Sequence, residues 1–407
     1  MNSHRTTRRD FLSKSIATGI GIAAGLRAAT FGGVAKAYDS TTITATVGLT
    51  YGPDRADNAF RALQLFKNQI ATAIGNKRVV IKPNFVWYGA PLACTNPAFT
   101  DGILEFLKSI GKRDVVIAES SAQGNIMQGY DAIGYLYMPK KYSVKLMDLN
   151  QEGFASVPIW KYGNSNYSGG NSPNTLQTIR VSKMLLNPNN FIISAAPLKT
   201  HNTVIATMAT KCIGMGAPVI DIGDTWAQPG FRADKSSMHG PAGAPSGTGS
   251  NLTYDYQVLN DNVCRLVGVL GIRPNFALID AYQGMEGNGP VSGTAIPTPQ
   301  QVAVASQDFL AADRVGLELM GPTGGSNVKV QLNTIGGYSM PYPACLNYLW
   351  QLGVGEWDYR KIQVIGEQVA NHNSYAYAAN PYQTAGYEIA NIRTTPREGN
   401  IVNVIDS

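Results

Sequence analysis

The chain has 407 residues, 44% hydrophobic and 15% charged. That balance excludes a disordered chain, which is poor in apolar and rich in charged residues, and at about 150 residues per domain it predicts one large unit or two domains. The formal charge is +6, but Arg5, Arg8, Arg9, Lys14, Arg27 and Lys36 stand against Asp10 alone in residues 1–37, and beyond them 27 basic and 26 acidic residues remain. A near-neutral remainder gives nucleic acid no electrostatic footing as a partner.

Thr7–Lys14 (TRRDFLSK) precedes a Gly- and Ala-rich apolar stretch, Ile16–Val34, and the small-x-small triplet Ala35-Lys36-Ala37. Charged, apolar and small-residue zones in that order form a secretory signal. Arg8-Arg9 followed by Phe11-Leu12 gives it the twin-arginine form. The expectation is a signal peptide over 1–37, the twin-arginine export machinery as a partner, and work in the periplasm or outside the cell. Such a protein folds before export and keeps no transmembrane anchor after cleavage.

Residues 38–78 are expected to be an N-terminal extension with a helix over 57–73, where Phe60, Leu63, Leu65, Phe66 and Ile70 recur at helical spacing. Strands follow over 78–86, 114–119 and 144–149, alternating with helices over 100–110 and 129–137. Strand–helix alternation predicts the α/β class: a mostly parallel sheet with flanking helices, in one or two lobes over 79–366. Residues 162–174 read as a polar loop, 178–184 and 190–196 as strands, 203–213 as a helix, and 240–251 as a flexible stretch. A long helix is expected over 254–270, strands over 275–280 and 301–306, a helix over 308–320 with Asp308 as N-cap, and a strand over 362–365. Residues 367–407 form an Asn- and Tyr-rich C-terminal extension.

The four cysteines, Cys94, Cys212, Cys264 and Cys345, are far apart and form no C-x-x-C pair, so no iron–sulfur or zinc-ribbon motif is present. Phosphate-loop, dinucleotide-fingerprint and nucleophile-elbow motifs are also missing. What remains is a set of polar residues just where strands end: Lys82 and Asn84, Glu119, Asp148, Lys199 and His201, Asp280, and Asp308. Parallel strands would bring these to one rim, where open α/β sheets bind ligands.

Two segments stand out. In Asp280–Gly293 (DAYQGMEGNGPVSG) the glycines permit tight turns, and Asp280 and Glu286 either reach one cation or flank a solvated turn. In Pro197–Gly216 (PLKTHNTVIATMATKCIGMG) Lys199 and Lys211 bracket an anion. There His201 is a general base, a metal ligand, or a helix-start histidine bonded to backbone. Cys212 reads as a low-pKa thiol or as a buried inert cysteine, and His239 as a further ligand or an exposed loop residue.

IKPNFV (81–86), PLKTH (197–201), ATKCIGMG (209–216), MHG (238–240), LIDAYQGMEGNGP (278–290) and SQDFLAADRVGLELMG (306–321) together resemble the domain of unknown function 362 family. The family is largely uncharacterised. Some members carry ferredoxin-type cysteine clusters, which this chain lacks, and the family's lysine at position 211 is usually followed by Asn where this chain has Cys212. The resemblance implies Lys82, Asn84, Lys199, His201, Lys211, His239, Asp280, Glu286, Asn288 and Asp313 as site residues and supplies no reaction.

The expectation is an exported enzyme acting on a small anionic ligand. His201, Lys199 and Glu286 are its catalytic candidates, and Lys82, Asn84, Lys211 and Asn288 its substrate-binding ones. Glu119, Asp280 and His239 are nominated to hold a divalent metal. The alternatives are a non-catalytic periplasmic binding protein or redox-complex accessory, and a purely structural ion-pair network.

Overall fold

The computed structural model describes residues 42–161, 175–202, 204–221, 234–239, 259–321, 332–335, 338–341, 344–378 and 380. The expected signal peptide, the polar loop 162–174, the stretch 240–251 and most of the C-terminal extension lie outside the described residues. The strands are β1 (Ala45–Tyr51), β2 (Arg78–Pro83), β3 (Val115–Glu119), β4 (Lys145–Asp148), β5 (Phe154–Lys161), β6 (Thr175–Ser182) and β7 (Asn190–His201). They continue as β8 (Ile205–Thr207), β9 (Phe276–Glu286), β10 (Thr294–Ala295), β11 (Val302–Ser306), β12 (Leu332–Ile335), β13 (Tyr338–Pro341) and β14 (Ile362–Gly366).

Ten of them make one sheet in the order β14-β1-β11-β9-β7-β2-β3-β4, with β10 added to β9 and β8 to β7; β5–β6 and β12–β13 pair as separate antiparallel two-stranded sheets. Along the main order the pairs are parallel except the two made by β11. The α/β class with a mostly parallel sheet is thus the observed architecture. A parallel sheet is covered on both faces, and alternate side chains of each strand enter different cores. Val80 and Ile192 join the helices Ala209–Gly216 and Phe309–Leu319 in one core. Val79, Ile81 and Ile193 join Arg55–Gln64, Lys67–Ile74 and Pro97–Ser109 in the other.

Several elements depart from expectation. The helix over 57–73 is two helices, the first capped by the Asp54 carboxylate, which accepts from the amides of Ala56 and Asp57. The helix over 203–213 is the short strand β8 followed by Ala209–Gly216. β9 does not stop at Asp280 but runs on to Glu286, so half of the glycine-rich segment is strand. Within the described part of 254–270 the helix gives way to a π-helical turn over Arg265–Val269. Ala45–Tyr51, expected to be part of an extension, is an inner strand between β11 and β14.

Direction decides which strand ends share an edge. β2, β3, β7 and β9 run the same way, so Lys82, Glu119, His201 and Asn288 gather at one carboxyl edge. Asp308 does not join them, because β11 runs against its neighbours and delivers Asp308 to the opposite edge. There it caps its own helix through the amides of Leu310 and Ala311.

Candidate functional site

At the carboxyl edge lies a cavity of about 410 Å³, within the range of about 300–1,000 Å³ typical of small-molecule sites. Its lining includes Lys82, Asn84, Glu119, His201, Lys211, His239 and Asn288 from the sequence reading. It also includes Trp87, Ser120, Cys212, Met215, Gly216 and Lys235.

Lys82, the penultimate residue of β2, donates to Glu119 Oε1 at 2.6 Å and to the Pro83 carbonyl at 2.7 Å, with Cys212 Sγ at 3.8 Å. Burial alone would lower its pKa, but the Cys212 sulfur and the Glu119 carboxylate beside it hold it above the ordinary lysine value. Glu119 closes β3 and also accepts from the amides of Phe85 at 2.8 Å and Ser120 at 2.6 Å. The pair is fixed by backbone amides that donate to Glu119 and a backbone carbonyl that accepts from Lys82, as a buried ion pair must be to offset desolvation. The close passage of Lys82 needs Gly216: a Cβ there would fall 2.5 Å from Lys82 Nζ.

Lys235 comes from the turn Asp234–Ser237, which the Asp234 carboxylate ties to Arg180 of β6. Its ammonium donates to Ser120 Oγ at 2.9 Å, Met215 O at 2.7 Å and Pro218 O at 2.6 Å. Burial pulls its pKa down to about 7, against the pull of Glu119. No nomination from the sequence included it, although Lys235 and His239 are four apart, the spacing that puts two residues on one helical face.

Lys211 is the third residue of Ala209–Gly216, a helix capped from outside by Asp313, whose oxygens accept from the Ala209 amide at 2.8 Å and the Thr210 amide at 2.9 Å. Burial raises Asp313 to about 7 in spite of these donors. Asp313 therefore holds the helix that carries Lys211 and does not line the cavity. Cys212, next along, is buried with its thiol pushed above the ordinary value by desolvation, which fits the inert reading.

His201 ends β7. Its Nδ1 accepts from the Val204 amide at 3.3 Å. Burial, aided by the charges of Lys211, His239 and Lys199, drives its pKa well below the usual histidine range. The ring is thus neutral with its proton on Nε2. That makes it a hydrogen-bond donor at Nε2 and removes the ring nitrogen a general base would use.

The remaining nominees lie elsewhere. Lys199 is behind the wall, with Nζ donating to Ala93 O at 2.6 Å, Pro290 O at 3.3 Å and Asn84 Oδ1 at 3.4 Å; desolvation and Lys211 lower it to about 7. Glu286 does not line the cavity. It accepts from Tyr375 hydroxyl at 2.8 Å and from the Ala378 amide at 2.7 Å, anchoring the C-terminal segment. Asp280 faces Arg55, whose Nε lies 3.4 Å from its carboxylate, and accepts from the Tyr282 amide. The metal set Glu119, Asp280 and His239 is therefore not assembled, because the extension of β9 leaves Asp280 within the strand. Among the described residues no group of three His, Cys, Asp or Glu could hold a metal ion.

Among the described lining residues, three lysines stand with one carboxylate and two histidines, and the apolar walls come from Phe85, Trp87, Met215 and Val291. Such a cavity attracts anions, and burial makes each charge count for more than at a surface.

A search of curated proteins gives no match. A structural-genomics crystal structure of a Thermotoga maritima protein is similar at 14% identity and a TM-score of 0.36, over 66% of this chain and 60% of that one. The chain thus spans about three fifths of that relative's length. The domain of unknown function family DUF362 matches residues 79–318, a stretch that contains every residue lining the cavity, and the chain belongs to that family.

Proposed function

We propose that this chain is an exported enzyme that binds a small anionic compound in the lysine-lined cavity and moves a proton on it. The observation that carries the reading is the gathering of three buried lysines, Lys82, Lys211 and Lys235, in one cavity lining, with Glu119 as the carboxylate among the described lining residues. Lys82 and Lys211 offset the ligand's charge. His201 donates a hydrogen bond from Nε2. Lys235, with a pKa of about 7, takes up or releases a proton near neutral pH, where acid–base catalysis is most effective.

A non-catalytic binding protein is the second reading. One observation favours it: the ammonium groups of Lys82 and Lys235 already point their protons at protein acceptors, which suits a fixed field more than a moving proton. Native purification with mass spectrometry of the intact protein tests both. Wild-type protein is expected to carry or take up a small organic or phosphate-bearing anion, and Lys211→Met to lose it at unchanged melting temperature. Conversion of the bound compound selects the enzyme, and release of it unchanged selects the binding protein. A wild-type chain with no affinity for any anion overturns both.

A further inference from the structure

We propose that the cavity takes an organic anion whose flat apolar body lies against Trp87 while its acidic group meets the lysines. This rests on the reading of the cavity as an anion site.

Size is the first argument. A water molecule takes about 30 Å³ in the liquid, so a bare inorganic oxyanion would leave most of a cavity of about 410 Å³ to solvent. The distribution of donors is the second. Lys82 and Lys235 spend their ammonium protons on Glu119, Pro83 O, Ser120 Oγ, Met215 O and Pro218 O. They attract negative charge across the cavity and do not form the close cage of donors that holds a small, densely charged ion. Affinity must then come in large part from apolar contact.

The third argument is the wall that supplies such contact. The segment after β2 folds back on itself, with Thr95 N donating to Asn84 O at 2.9 Å and Phe85 bridged to Cys94. This loop carries Phe85 and Trp87 into the lining. Phe85 is buried and packed edge-on against Tyr130 and Tyr135, with centroids 5.6 and 4.9 Å away, so it is a fixed floor. Trp87 is half-buried. Its carbonyl is held by the Ala90 amide at 3.0 Å and the Cys94 thiol at 3.4 Å. Gly89 leaves the indole its place, since a Cβ there would come 3.2 Å from the ring nitrogen. A partly exposed indole on a loop whose backbone is tied down, beside a cationic cavity, is a platform for a flat ring.

The test titrates the full chain with benzoate, acetate, inorganic phosphate and uncharged benzyl alcohol, by calorimetry and tryptophan fluorescence. Benzoate is expected to bind about ten-fold more tightly than acetate or phosphate, a margin in line with burying and stacking one ring. Trp87→Ala should abolish that margin and leave acetate affinity unchanged, and Trp87→Phe should retain most of it; a melting curve for each variant confirms that it is folded. Acetate or phosphate binding as tightly as benzoate overturns the flat-bodied ligand and leaves the anion site standing. Benzyl alcohol binding as tightly as benzoate overturns the anion site itself, and no binding by any probe overturns both.

Discussion

Lys235 shows how burial and charge work against each other in one residue. Its pKa falls from 10.5 to about 7 because the ammonium has left water, and an unfolded chain would keep the ordinary value. Between pH 7 and 10 the unfolded state therefore holds more protons than the native state, and native stability rises with pH in that window. Ligand binding has the opposite sign, since an anion favours the protonated lysine. Affinity for an anion is expected to fall as pH rises through 7, with proton uptake on binding below full protonation. Lys235→Met should flatten both slopes: the stability of wild type relative to the variant should grow from pH 7 to 10, and calorimetry in buffers of different ionisation enthalpy should show less proton uptake in the variant. Identical pH profiles for the two proteins would refute the assignment. At this scale much of the lining was legible, because Lys82 and Glu119 close apolar β-branched runs and Asn84 and His201 follow such runs within a few residues of the strand ends. Lys235 was not, since its partners Ser120, Met215 and Pro218 lie 115, 20 and 17 residues away in the chain. Glu286 misled for the converse reason. A carboxylate among glycines looks like a ligand, yet its partners Tyr375 and Ala378 lie about ninety residues away.

Elements place these residues, and the helix Ala209–Gly216 depends on a cap that its own sequence lacks. Met208 occupies the N-cap position and offers no side-chain acceptor. Asp313, a hundred residues on, supplies one for Ala209 and Thr210. Asp313→Ala leaves two buried amides without that partner, at a cost of about 1–2 kcal/mol by analogy with cap removal. It also loosens the turn that carries Lys211. A lower denaturation midpoint together with weaker anion binding is expected, and Asp313→Asn, which keeps one acceptor, should recover part of both. Unchanged stability in Asp313→Ala would remove the capping role. Sequence periodicity gave the element types where caps were local, as with Asp308 before Phe309–Leu319. It could not give strand direction, so Asp308 seemed to share a rim with Glu119. β1 stayed hidden because Gly48 and two threonines, Thr46 and Thr50, interrupt its apolar run; in the fold Gly48 lets Leu65 and Phe66 close in on the strand, since a Cβ there would come within 2.8 Å of both.

The whole molecule bears on the compartment in which it folds. All four cysteines, Cys94, Cys212, Cys264 and Cys345, are buried and free, so the fold draws nothing from disulfides and forms equally well in a reducing compartment. Both hydrophobic cores are built from strands spread across the sheet. Val47 and Val304 share one with Ile192, and Ala305 shares the other with Val79, so the sheet closes only after residues up to β11 have been made. The proposed twin-arginine signal over residues 1–37 would require such a chain to fold before export. Positive charge is concentrated in residues 1–37, against a nearly neutral remainder, and on the proposed export reading those residues are the address and not the site. Replacing Arg8 and Arg9 with lysine keeps the charge and removes the paired guanidinium groups. In the native host, wild-type protein is expected in the periplasmic or secreted fraction, shortened by cleavage after Ala37. The double variant is expected in the cytoplasm at full length, folded and still able to bind the anion. Export of the double variant at the wild-type level would sink the twin-arginine assignment, and an anion affinity that changes with it would mean that the N-terminal segment contributes to the site.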